Sequence, residues 1–141
     1  MFGKLFVVFV LFVYNGHCLT EIRLEDRHFT YIRHEYSGTT MSVPKHFQDT
    51  LSSCHVIFPN GVMYEVYPRN TIPFQGVFPL ESVQPFRSCG IGFRNVGVSF
   101  SGVYELLSTV LHSADNSLTL TRQRHHMVVI ESDFTSDKLD N

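Results

Sequence analysis

The chain has 141 residues, with 11 Lys and Arg against 13 Asp and Glu and a formal net charge of −2. That length suits one domain with a single core. The slightly acidic balance excludes a protein built to neutralise nucleic-acid phosphates, which needs a basic face.

Met1-Phe2-Gly3-Lys4 carries one positive charge, residues 5–14 are almost wholly apolar, and Asn15-Gly16-His17-Cys18 offers a small-residue exit. This pattern predicts a secretory signal peptide over residues 1–18, with cleavage after Gly16 as the alternative. The apolar run is shorter than the roughly 20 residues that span a bilayer, and no later run reaches that length. The expectation is a secreted, extracellular protein with no stable membrane insertion and no N-x-S/T sequon after residue 18.

Of three cysteines, Cys54 and Cys89 remain after such a cleavage. An even number in an oxidising compartment predicts a disulfide, and two buried free thiols are the alternative. The expected domain runs over residues 19–131, and residues 132–141 read as a polar, acidic, disordered tail.

In chain order, Ile22 and Leu24, then Phe29 and Tyr31, alternate with polar residues and suggest short edge strands. Ser37-Gly38-Thr39-Thr40 reads as a turn or loop, and Pro44 forbids a regular helix after it. Ser52, Cys54, Val56 and Phe58 then share one strand face, and Ser53, His55 and Ile57 the other. Pro59-Asn60-Gly61 predicts a hairpin into a strand over residues 62–67, with Val62, Tyr64 and Val66 on one face and Met63, Glu65 and Tyr67 on the other.

Residues 68–88 contain Pro68, Pro73, Pro79 and Pro85, which forbid a central strand. Their apolar side chains, Ile72, Phe74, Val77, Phe78, Leu80 and Phe86 among them, are too many for a disordered linker. The segment reads as a long connection lying across the sheets, with one or two short edge strands. Cys89, Ile91 and Phe93 alternate, Asn95-Val96 begins a corner, and Ser101-Gly102 leads into the alternating Tyr104, Leu106, Ser108 and Val110. A final strand over residues 118–130 is expected to bulge at Arg122-Gln123-Arg124-His125-His126.

Strand, corner, Gly and then Tyr is the way an immunoglobulin-type sandwich passes from strand E to strand F. Cys54, Pro59, Gly61, Cys89, Gly90, Ile91, Phe93, Asn95, Val96, Ser101, Gly102 and Tyr104 resemble small secreted immunoglobulin-like domains familiar from arthropods. The resemblance implies an all-β, antiparallel sandwich with Greek-key connections and a structural corner at Asn95, Gly102 and Tyr104. It places Cys54 on strand B and Cys89 on strand E, neighbours in one sheet, and makes Tyr64 on strand C the stand-in for the core tryptophan. Two departures stand out: the usual second cysteine position is Leu106, and Phe100 replaces the acidic residue before Ser-Gly.

Eight histidines invite a catalytic or metal reading. His125 and His126 are adjacent, and adjacent strand side chains diverge, so they do not share one ion. His28 and His34 sit among charges and read as solvated. No nucleophile elbow, P-loop or dinucleotide fingerprint occurs, so no catalytic residue, cofactor or metal site is expected. The expected role is a binding or recognition module for an extracellular protein partner, acting through end loops or the exposed face of strands C and F. Met63, Tyr67, Phe74, Phe78, Arg122 and Arg124 are the candidate binding residues. The alternative is a carrier or inhibitor holding a small apolar ligand in a pocket under residues 68–86.

Overall fold

Alternation of apolar and polar residues builds nearly every element. The computed structural model describes residues 12–14, 17–33 and 38–131. The expected tail, most of the expected leader and His34 lie outside the described residues.

In order the strands are β1 (Phe12–Tyr14), β2 (His17–Arg23), β3 (Arg27–Arg33), β4 (Gly38–Ser42), β5 (Thr50–Ile57), β6 (Met63–Tyr67), β7 (Val77–Pro79), β8 (Gly90–Arg94), β9 (Gly102–Leu111) and β10 (Leu118–Glu131). A 3-10 turn over Val98–Phe100 precedes β9. The larger sheet is ordered β1-β2-β10-β9-β5-β6, with β3 continuing beside β10 where β2 leaves off. The smaller sheet is β4-β8-β7. The chain changes sheet between β3 and β4, β4 and β5, β6 and β7, and β8 and β9, which makes the connections Greek-key.

The two inner faces form one core. Leu51, Cys54 and Val56 come from β5, Tyr104, Leu106 and Val110 from β9, and Met127 and Val129 from β10. Met41, Val77, Ile91 and Phe93 meet them from the smaller sheet. Phe93 touches Phe100 and Tyr104 edge-on, and Phe58 touches Tyr104 in the same way. Such edge-to-face pairs add to the burial of large apolar side chains.

Five sequence expectations are corrected. Residues 38–42 form β4, because Thr39 and Thr40 suit a pleated strand and Met41 supplies a buried side chain. The Cys54–Cys89 disulfide, with a Cα–Cα distance of 5.2 Å, joins the two sheets instead of neighbours within one. Tyr64 lies half-buried on β6 against Phe58 and Phe74, and does not take a central core place. β10 runs unbroken through residues 122–126, since every residue from Leu118 to Met127 keeps a partner on β9. Finally, the sandwich is not wholly antiparallel: β2 and β3 run parallel to β10.

The hairpin at residues 58–62 closes through Phe58 N–H to the Val62 carbonyl (2.9 Å) and Gly61 N–H to the Phe58 carbonyl (2.8 Å). Within residues 68–88, β7 is a three-residue edge strand of the smaller sheet, where Pro79 costs no central ladder bond. At Gly92 a Cβ would sit 2.4 Å from the Phe78 ring, so only glycine lets Phe78 lie flat on β8.

The corner before β9 is fixed by the chain itself. Asn95 adopts φ +51°, the Tyr104 hydroxyl donates to the Phe100 carbonyl at 2.7 Å, and Gly102 at φ +148° leaves room for the Pro59 ring. Burial pushes the Tyr104 hydroxyl up to about 12, so it stays a donor. Phe100, standing where an acidic residue was anticipated, packs on Phe93 instead of making an ion pair.

Candidate functional site

Because side chains alternate, the positions between the core residues of β5, β6, β9 and β10 face outward and form a sheet surface. Register arranges them in rungs. Met63, Ile57, Glu105 and Arg124 make one rung across β6, β5, β9 and β10. Glu65, His55, Leu107 and Arg122 make the next. Val103 and His126 continue the face beyond Glu105, with His28 of β3 alongside.

The chemistry of this surface is mixed. Met63 is 57% exposed and Val103 40%, so among the described residues apolar groups reach solvent on this face. Between them runs a chain of charge. Arg122 Nε lies 2.7 Å from Glu21 Oε1, an ion pair not aligned as a hydrogen bond. Arg122 also reaches Glu105 at 3.5 Å, and Arg124 Nε lies 3.9 Å from the same carboxylate. Glu105 thus holds both guanidinium groups on the surface.

The six candidate binding residues divide. Met63, Arg122 and Arg124 come together on this face. Tyr67 is half-buried, with the Arg87 guanidinium 4.7 Å from its ring centre. Phe78 covers Gly92 under Arg94, on the smaller sheet. Phe74 belongs to a third place, packing edge-on against Phe58 and Tyr64. There it lines an open cleft of about 410 Å³ with Phe58, Val77, Phe100 and Tyr104.

Sequence reasoning missed Val103 and Ile57 as members of the face, because nothing local shows which strand lies beside β9. It also missed the setting of the histidines. His125 points inward, 2% exposed and with Nε2 unpartnered among the described residues, and burial pushes its imidazole down to about 4. His126 points outward, with Nε2 2.7 Å from Asp26 Oδ2, and stacks on His28 at 4.2 Å between ring centres. The His126 hydrogen bond holds the Asp26 carboxyl below its ordinary value.

At one end of the sandwich, Asp49 Oδ2 meets His112 Nδ1 at 2.8 Å and His112 Nε2 meets Thr119 Oγ1 at 2.6 Å. The order carboxylate, imidazole, hydroxyl imitates a nucleophilic relay, but Thr119 is buried on the inner side of β10. The relay therefore ties the β4–β5 loop to the β9–β10 turn. Beside it, Lys45 Nζ donates to the carbonyls of His46, Asp49 and Pro85 at 2.9, 2.7 and 2.6 Å. Phe47, Val83 and Phe86 stand exposed on the two segments so joined.

The murine CRIg structure is similar to this chain with a TM-score of 0.53 and 8% identity, covering 74% of this chain and 92% of that one. The fold is immunoglobulin-like. A second similar structure, Dpr1 IG1 bound to DIP-eta IG1, has a TM-score of 0.47 at 9% identity, over 74% of this chain and 88% of that one. No family model and no curated protein matches the sequence.

In the lettering of an immunoglobulin-like domain, β4 is strand B, β5 is C, β6 is C′, β7 is D, β8 is E, β9 is F and β10 is G. Cys54 is therefore on C and Tyr64 on C′, each one strand later than the resemblance implies, because residues 38–42 add a strand ahead of them. The disulfide runs from C to E. Leu106, two residues past the corner tyrosine, fills the usual place of a cysteine on F with apolar volume.

Proposed function

We propose that this chain is a secreted immunoglobulin-like module that holds an extracellular protein partner on the outer face of strands G, F, C and C′. The observation that carries this reading is the flanking of the Arg122–Glu105–Arg124 network by the exposed side chains of Met63 and Val103. Met and Arg are enriched in protein interfaces, where a desolvated apolar centre supplies affinity and fixed charges supply register.

Secretion is supported by the disulfide, which persists in oxidising compartments. It is also supported by the ladder between β2 and β10, whose first pair is Leu19 with Leu118. Cleavage after Cys18 would remove β1 and two residues of β2 and leave that ladder whole.

The test is binding of the tetramerised protein to cells displaying a panel of extracellular domains. Met63→Asp and Val103→Asp should each abolish the strongest binding, while Phe86→Asp at the loop end should leave it intact. The opposite pattern would move the site to the loops.

The cleft lined by Phe58, Phe74, Val77, Phe100 and Tyr104 favours a second reading, a carrier for a small apolar ligand. Stoichiometric uptake of a hydrophobic dye, lost in Phe74→Asp and kept in Met63→Asp, would establish it.

A further inference from the structure

We propose that Asp26, His28 and His126 form a binding site for a zinc-type divalent cation, placed where the amino-terminal strand joins strand G. One donor atom of each residue lies within 4.8 Å of the other two.

The backbone generates the constellation. Asp26 directly precedes β3 and His28 is the second residue of that strand. Two residues apart in extended chain, their side chains leave on the same side. The parallel ladder sets His126 opposite His28, and the rings stack with an interplanar angle of 19°. Both imidazoles thus present themselves from one side of the sheet, next to the carboxylate.

Each imidazole nitrogen binds through a lone pair in its ring plane, so His28 and His126 must turn out of their near-parallel stack for both to point at one ion. A tetrahedral zinc with bonds of about 2.0–2.2 Å holds its donors roughly 3.3–3.6 Å apart. The His126–Asp26 edge, at 2.7 Å, must open a little to admit the ion, and the others must close from at most 4.8 Å. Asp26 and His28 are exposed and His126 half-exposed, so no packed core resists this.

Two imidazoles with one carboxylate select borderline-soft cations over magnesium and calcium, which prefer oxygen alone. Three protein ligands also leave a fourth position for water or an outside donor. Arg23 and Arg124 act electrostatically on Asp26, and their repulsion of a cation sets the affinity below that of a closed structural zinc site. Bound there, the ion staples the start of β3 to β10 in addition to the ladder.

The test is isothermal titration of the disulfide-intact protein with ZnCl2 at neutral pH, and separately with MgCl2. One equivalent of zinc should bind, and magnesium should give no saturable heat. Groups that merely support a ligand cost roughly 10–100-fold in metal affinity when removed, so Asp26→Asn, His28→Gln and His126→Gln should each weaken zinc by at least about tenfold. His46→Gln, an exposed histidine elsewhere, should change nothing. At one zinc concentration, the melting temperature of the native chain should rise by more than that of His126→Gln, a readout free of any partner. Absence of stoichiometric zinc binding, or binding unchanged in both His28→Gln and His126→Gln, would overturn the proposal, as would magnesium binding as tight as zinc.

Discussion

The Asp49 carboxylate is pulled in two directions. Burial raises its pKa, while the hydrogen bonds from Ser113 N–H and His112 lower it, and the lowering wins. Lys45 and His46 face the same group and favour its charge. A carboxyl depressed in the folded state takes its proton more readily when unfolded. Its contribution is therefore complete above the unfolded value near 3.8 and is lost as pH falls through the lower folded value. Denaturant midpoints measured from neutral pH downward should fall in that acid window, and Asp49→Asn should flatten that fall. At neutral pH the same substitution should cost about 1–3 kcal/mol, because the loop and the turn lose a charge-assisted tie. A midpoint unchanged by Asp49→Asn would mean that the tie contributes nothing. Asp49 stood out in no sequence pattern, since its partners lie 63 and 64 residues away.

Strands show a different balance. β5, β6, β9 and much of β10 were legible because each alternates over several residues and buries one side, and a hairpin turn pins the register of the first two. β4 was not legible: five residues opening with glycine look like a turn until β8 is beside them, and only that ladder makes them a strand. β8 illustrates the same dependence. Its Gly90 and Gly92 are where Leu80 and Phe78 cover the strand, a role that no neighbour in sequence reveals. Gly92→Ala should therefore destabilise by about 1–3 kcal/mol through overpacking against Phe78. In a Phe78→Ala background the same change should cost markedly less, and the double-mutant cycle reads the difference. Strictly additive costs would show that Phe78 and Gly92 do not share the space.

For the whole molecule, the disulfide is the covalent link between its two layers. It closes a loop of 35 residues, so replacing both cysteines by alanine should lower stability by about 3–4 kcal/mol, read as a shift of the unfolding midpoint with the native fold retained. A loss below about 1 kcal/mol would mean that packing alone keeps the sheets together. Placing the bridge between C and E also explains how Leu106 can occupy strand F without loss of the link, since the layers are joined elsewhere.

What the sequence determined by itself is local: the alternation that makes strands, the Asn-Gly hairpin, the corner from Asn95 to Tyr104, and the pairing of the two cysteines left after Cys18. Each depends on residues near one another in the chain, or on counting. The tertiary structure decided which sheet each strand joins, and therefore that the bridge crosses the core. It also decided that Met63, Arg122 and Arg124 share a face while Tyr67, Phe74 and Phe78 leave it. It brought His28 to His126, 98 residues apart, through a parallel ladder. Strand neighbours are chosen by the burial of whole faces and by ladders between distant segments, and one strand's pattern carries no record of which strand lies beside it.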